Sequence, residues 1–184
     1  KVLTEATLLG FAASLMRFSY SFIDSFLSNH KSPQPPFSIP RLRFVYGAIA
    51  YSQKGVDKVP HVSASSHKAA YLLEELMDVE TPFIKYIHNA DAIPLPEEGE
   101  EGYETSIFLC FMQHVQFQFT HHTVYISDFQ GTQDLIKDMD ADIGGSLFGE
   151  GNVGTAFEAF TSQHICNRYC KWFQLEELKS EEGA

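Results

Sequence analysis

Apolar positions recur at helical spacing from residue 2 to 28, through Leu8, Phe11, Leu15, Phe18, Phe22 and Phe26. This pattern predicts a long amphipathic helix. Four prolines (Pro33, Pro35, Pro36 and Pro40) follow and close it, because none can sit in a helix interior. Arg43 to Tyr51 is rich in β-formers and reads as one buried strand. Residues 61–68 read as a loop, and Ala70 to Leu76 as a short strand or hinge. Residues 91–102, with Pro94, Pro96 and acids from Glu97 to Glu101, read as a solvated loop. Thr105 to Phe119 is apolar enough for a buried helix, and Thr123 to Asp128 is a β-rich run ending on a carboxylate. A glycine-rich segment, 144–154, leads into a predicted helix over 155–173 and a charged helix end from Glu176. Helices and strands in this order give an α+β fold.

Composition narrows the function. The chain has 184 residues, 44% of them hydrophobic, which is enough for a core and excludes a disordered chain. Thirteen Lys and Arg against 24 Asp and Glu leave a net charge of −11. No basic stripe exists to neutralise nucleic-acid phosphates or to dock on anionic lipid, so neither nucleic acid nor membrane is an expected partner. The longest apolar run, Ala6 to Met16, falls short of the roughly 20 residues of a bilayer span. Three cysteines, Cys110, Cys166 and Cys170, are too few for a disulfide framework and read as an intracellular, cytoplasmic chain.

Three clusters carry chemistry. In His164-Ile-Cys166-Asn-Arg-Tyr-Cys170, two thiols and an imidazole can reach one tetrahedral Zn²⁺ if the segment turns over at a helix end. A closed site needs a fourth ligand, with His114, His121, His122 and Cys110 as candidates. The acids Asp128, Asp134, Asp138, Asp140 and Asp142, with Gln130 beside the first, suit a hard cation held together with phosphate. The third is Gly149-Glu-Gly151-Asn152-Val-Gly154, formally GxGxxG. It lies too near the C-terminus for a dinucleotide fold but can grip a peptide backbone or phosphate. Asp128-Phe-Gln-Gly is one residue too long for Asp-Phe-Gly, and no His-Arg-Asp loop precedes it, so a conventional protein kinase is excluded.

In order, Glu74-Glu75, Lys85-Tyr-Ile-His-Asn89, His114, Asp128-Phe-Gln130-Gly131, Asp138, the loop Gly149 to Gly154 and His164-Ile-Cys166-Asn-Arg-Tyr-Cys170 resemble the alpha-type (atypical) protein kinases. The resemblance covers residues 70–175 strongly and 1–69 loosely. It implies a two-lobed domain: 1–72 as the remainder of an incomplete N-lobe, 73–184 as a zinc-stapled C-lobe. The implied activity is serine/threonine protein kinase, transferring the ATP γ-phosphate to a protein substrate with Mg²⁺. The implied zinc ligands are His114, His164, Cys166 and Cys170. Asp128 matches the catalytic aspartate, Gln130 and Asp138 the Mg²⁺ ligands, and Lys85 and Asn89 polar residues lining the site. Glu74 or Glu75 matches a hinge acid near the adenine. Gly149, Gly151, Asn152 and Gly154 match a loop that contacts peptide.

Two departures stand beside these matches. Met139 follows Asp138 where the family has proline, which leaves Asp138 and Asp140 as alternatives. No strand lysine for the ATP phosphates precedes the first helix, although Glu5 suits the acid that would pair with one. A catalytically inactive, zinc-stabilised interaction module of the same shape is therefore the alternative function.

Overall fold

The computed structural model describes residues 1–29, 34–52, 69–89, 91–137, 140–143 and 153–178. Helix α1 (Val2–Asn29) leads into strands β1 (Arg43–Phe44), β2 (Gly47–Tyr51), β3 (Ala70–Glu74) and β4 (Ile84–Lys85). Helix α2 (Tyr103–Phe119) is followed by β5 (Val124–Ser127), β6 (Gln130–Gly131), β7 (Leu135–Lys137) and β8 (Asp140–Ile143), then α3 (Val153–Gln163) and α4 (Arg168–Trp172). The α+β class holds. The loop expected at 61–68, Asp138 and the glycine-rich loop as far as Asn152 lie outside the described residues.

The core forms around α2, whose residues from Ser106 to Phe117 are all buried. A helix apolar on every side can only be a central one. Against it lie Ala12, Leu15, Met16 and Ile23 of α1, Phe44, Ile126, Phe129 and Ile136 from the strands, and Tyr169, Cys170 and Phe173 at the C-terminal end. Phe26 of α1 meets Phe173 at 5.1 Å and Trp172 at 5.5 Å between ring centroids, which ties the first helix to the last.

Several expectations are corrected. The expected line of α1 is buried only in part: Phe11 and Phe18 are 37% and 40% exposed, while Phe22 and Phe26 pack against the core beside the buried Ala12, Leu15, Met16, Ser19 and Ile23. The helix is apolar on more than one side, and packing covers only part of that surface. By length and composition α1 also qualifies as a bilayer span, with a mean hydropathy of 1.2 in its best window, which the Ala6–Met16 run alone did not reveal. Its inward stripe instead joins the core.

Arg43–Tyr51 is two strands rather than one buried strand. β1 runs parallel to β7 (Arg43 opposite Leu135), whereas β2 leaves after Tyr46 to pair antiparallel with β3, and its residues are exposed or half-buried. The helix expected over 155–173 is broken. The chain leaves the helix from His164 to Asn167, where Asn167 is extended, and the Asn167 side chain accepts from the Tyr169 and Cys170 N–H groups to start α4. The same side chain donates to the Ile107 carbonyl at 2.6 Å. Asparagine is favoured at such caps because its oxygen satisfies helix-start donors. Glu176 is not a helix end either, since Gln174 turns the chain out of α4 with φ 57°.

The strands near the site are short. β6 joins β4 on one side and β7 on the other, placing Lys85 opposite Gln130 and Ile84 opposite Gly131. A Cβ on Gly131 would lie 2.0 Å from the Leu135 carbonyl oxygen, so only glycine lets β7 approach this closely.

Candidate active site and metal centre

Two clusters of sequence-selected residues form, one around His114 of α2 and one at the turn between β5 and β6. The first gathers His114 from α2, His164 from the end of α3, Cys166 from the break between α3 and α4, and Cys170 from α4. One ligand atom from each lies within 4.8 Å of the other three. His114 Nδ1 is 3.7 Å from Cys166 Sγ, and His164 Nε2 is 3.7 Å from Cys170 Sγ. A tetrahedral Zn²⁺ with its usual N and S bond lengths separates its ligand atoms by about 3.5–3.8 Å. The break after Gln163 is what makes this possible, because a continuous helix would keep Cys166 and Cys170 on one face and set His164 on the opposite one.

The electrostatics of the cluster point the same way. Burial pushes the His114 imidazole down to about 4, with the Glu176 backbone acting weakly against it, and pushes His164 down to about 3. Burial lifts the Cys170 thiol to about 12 and raises Cys166 as well. Without a cation the four groups are neutral and densely packed. His114 Nε2 and His164 Nδ1 are buried with no hydrogen-bond partner among the described residues. A soft divalent ion would turn the thiols into thiolates and take the lone pairs of His114 Nδ1 and His164 Nε2, the nitrogens that face the sulfurs, leaving His114 Nε2 and His164 Nδ1 as the outward ring nitrogens. The donor set fits Zn²⁺. Cys110, weighed as a fourth ligand, lies outside the cluster with its thiol pushed up by burial, and His121 and His122 lie on the exposed turn after α2.

The second cluster lies where β5 gives way to β6. Asp128 adopts a left-handed backbone, φ 54°, uncommon for any residue but glycine. Its carboxylate forms an ion pair with the Lys85 ammonium. Gln130, opposite Lys85 in the ladder, is two residues on from Asp128. Phe129, between them, is fully buried and stacks on Phe44 with centroids 6.3 Å apart, while its carbonyl accepts from Tyr86 N and Ile87 N at 2.8 and 3.2 Å. The buried ring faces inward, so its neighbours are carried on the strained turn beside Lys85. Antiparallel pairing of β5 with β8 sets Asp140 opposite Ser127, the residue before Asp128.

The remaining candidates are more dispersed. Glu75 accepts both Arg43 guanidinium nitrogens, at 2.6 and 2.8 Å, and the Tyr46 N–H at 3.2 Å. Those bonds, Arg43 first, hold its carboxyl down to about 2. Glu74 ends β3, and both acids line an open hollow of about 600 Å³ with Leu76, Met77, Val79 and Phe83. Asn89 lies exposed on the turn beyond β4. Gly154 falls within the first turn of α3. Gly149, Gly151 and Asn152 lie outside the described residues.

Comparison with known proteins fits this geometry. The sequence model of the alpha-kinase family matches residues 14–170. The chain belongs to the alpha-kinase family. Among solved structures it is similar to the C-terminal truncated alpha-kinase domain of myosin heavy chain kinase: 20% identity and TM-score 0.57, over 93% of this chain and 60% of that one. It is also similar to the alpha-kinase domain of myosin-II heavy chain kinase A in complex with AMP-PNP: 20% identity and TM-score 0.58, over 94% and 59%. At these identities the likeness establishes the alpha-kinase fold. The chain spans about three fifths of the length of these relatives. A comparison with curated protein sequences returns no match.

Sequence reasoning overlooked the groups that hold the alpha-kinase motifs in place. Tyr86, fully buried, donates its hydroxyl to the Thr132 carbonyl and its backbone N–H to Phe129. Gln113 and Gln116 are fully buried in the otherwise apolar α2, and both bond to Ile126. Two glutamines three residues apart inside an apolar helix were the available signal, since a buried amide is costly unless it is used.

Proposed function

We propose that this chain carries the phosphoryl-transfer centre of a serine/threonine protein kinase that moves the γ-phosphate of ATP to a hydroxyl on a protein substrate. The observation that carries this reading is the Lys85–Asp128 ion pair beside Gln130, built by the β4–β6 ladder on a strained turn. Asp128 orients the attacking hydroxyl and accepts its proton. Lys85 fixes the carboxylate and contributes positive charge beside the transferred group. Gln130 and Asp138, or Asp140 in its place, would hold Mg²⁺ through oxygen atoms, in keeping with the preference of that ion for hard ligands. When bound, Mg²⁺ supplies neutralisation of phosphate charge, the main requirement of this reaction. The hollow beside Glu74 and Glu75 is of a size suited to a nucleotide base. The AMP and AMP-PNP complexes of related alpha-kinase domains favour nucleotide as the small substrate. The exposed Asn89 and the loop containing Gly149, Gly151, Asn152 and Gly154 are assigned to the rim and to peptide contact. Structural Zn²⁺ is assigned to His114, His164, Cys166 and Cys170, and a reducing, cytoplasmic setting follows from those free thiols.

A second reading, a zinc-stabilised module without catalysis, is favoured by the carboxylate of Asp128 being already engaged by Lys85. Incubation with Mg²⁺ and γ-labelled ATP on a serine- and threonine-rich protein distinguishes the two. Transfer that disappears in Asp128→Ala supports the kinase. Nucleotide binding without transfer supports the module, and neither binding nor transfer removes the proposal.

A further inference from the structure

β5 has two edges, and they are satisfied differently. Along one, β8 pairs with it, Tyr125 opposite Asp142 and Ser127 opposite Asp140. In an antiparallel pair alternate residues turn their polar backbone groups away from the partner strand. For Ile126 these groups meet α2 rather than another strand. Gln116 Oε1 accepts the Ile126 N–H at 2.9 Å, and Gln113 Nε2 donates to the Ile126 carbonyl at 2.8 Å. The two amides, three residues apart, share one helix face. Both side chains are fully buried, as is Ser19 of α1, whose hydroxyl accepts from Gln116 Nε2 at 3.2 Å.

Two residues beyond Ile126 the chain enters the left-handed turn at Asp128, and one residue later the Phe129 carbonyl is held by Tyr86 and Ile87. A left-handed conformation at a non-glycine residue persists only where its surroundings over-determine it. Here the backbone is fixed on both sides, by α2 before the turn and by the stretch after β4 beyond it. We propose that Gln113 and Gln116 are positioning residues: their amides grip both polar groups of Ile126 and thereby set where the Asp128 carboxylate sits relative to Lys85. Ser19 completes the grip by accepting from the Gln116 amide nitrogen, which links α1 to the Ile126 backbone through one side chain. The assignment rests on Asp128 being the reacting group, as proposed above.

The test uses the full chain with Gln116→Met, Gln113→Met and Ser19→Ala. Val115→Ala serves as a control that disturbs the same helix without removing either side-chain hydrogen bond to Ile126. Amide hydrogen exchange over Ile126–Phe129, thermal midpoint, and kcat and KM for ATP are read well below melting. Gln116→Met and Gln113→Met are expected to speed exchange over Ile126–Phe129 and to lower kcat by about 10- to 100-fold, with KM for ATP unchanged, since small misplacements of reacting groups have effects of this order. Ser19→Ala acts in the same direction more weakly, and it carries the test should either glutamine variant not fold. Val115→Ala lowers the midpoint and leaves kcat and local exchange alone. The proposal is overturned if the glutamine variants keep kcat, or if Val115→Ala reduces it equally for an equal loss of midpoint. A wild-type chain without transfer removes only the kinase reading. Exchange over Ile126–Phe129, compared between the glutamine variants and Val115→Ala, then decides the positioning on its own.

Discussion

The His/Cys cluster around α2 and the Asp128 turn after β5 are stabilised in opposite ways. In the first, His114, His164 and Cys170 are nearly inaccessible to water and neutral in isolation. Nothing in that arrangement favours burial except a ligand they share. In the second, Asp128 keeps 17% and Lys85 33% of its side chain exposed, the groups are of opposite charge, and the backbone rather than the environment is under strain. A buried neutral cluster gains stability by binding, whereas a strained, half-solvated ion pair retains reactivity at some cost to stability. The first arrangement suits a staple and the second a reaction.

The largest effect that would break this contrast is removal of the staple. Chelation, or Cys170→Ala, is expected to unfold the segment from α3 to α4, because structural zinc contributes on the order of 10 kcal/mol in small metal-dependent folds. Elemental analysis should give one zinc per chain, and circular dichroism should fall as the chelator removes it. A chain that stays folded and zinc-free would end the assignment. Acid should act in the same direction. The unfolded histidines titrate near 6.5, but burial holds His114 to about 4 and His164 to about 3 in the fold. As pH falls below 6.5 the unfolded state therefore takes up protons first. Stability from these two groups is present above 6.5 and is lost as pH falls, through 4 and 3 where burial alone keeps them neutral and lower still where zinc holds them. Thermal midpoints followed from pH 7.5 to 4 should fall, and His114→Gln should flatten the slope between pH 6.5 and 5. An unchanged slope in that variant would show that His114 is not the responsible group.

How far these regions were legible in the sequence follows from how local each one is. The motif His164 to Cys170 announced metal chemistry because its ligands are neighbours in sequence. The helix break that brings them together was not readable, since it depends on Asn167 reaching both the start of α4 and the Ile107 carbonyl, 60 residues away. α2 was legible because a run buried on all sides needs no partner pattern to identify it. The strand pairings were not: β1, β4 and β6 are two residues each, too short for any periodicity. What fixes them is Gly131, whose missing Cβ admits the Leu135 carbonyl, and Phe129 docking on Phe44. The apolar stripe of α1 was legible only in part, with Phe22 and Phe26 against the core but Phe11 and Phe18 exposed, because composition identifies an apolar helix but does not tell how much of its surface the core will take.

That long-range dependence on Asn167 supplies the next smaller test. Asn167→Ala removes two cap bonds and the bond to Ile107, and it should lower stability by about 1–2 kcal/mol. If zinc binds at the break, affinity should fall alongside, because the ligands Cys166 and Cys170 flank the lost anchor. Equal zinc affinity in the variant and the wild type, by competition with a colorimetric chelator, would show that the break is held by the metal alone.

The smallest expected effect probes the other member of the comparison. If the turn at Asp128 stores strain for the sake of its carboxylate, then how costly the turn is depends on whether the residue there has a Cβ. Asp128→Gly and Asp128→Ala both delete the carboxylate and its ion pair with Lys85, so transfer should be lost in each. They differ in backbone tolerance: glycine enters the left-handed region freely, while alanine does not and has no side-chain oxygen to compensate. The glycine variant should therefore be the more stable of the two by about 1 kcal/mol, a margin reduced by the greater freedom glycine gives the unfolded chain. Denaturant midpoints measured side by side would reveal it. Equal midpoints would mean that the turn is relaxed in the absence of the ion pair, and that Lys85 rather than the flanking backbone contacts holds Asp128 in its left-handed conformation.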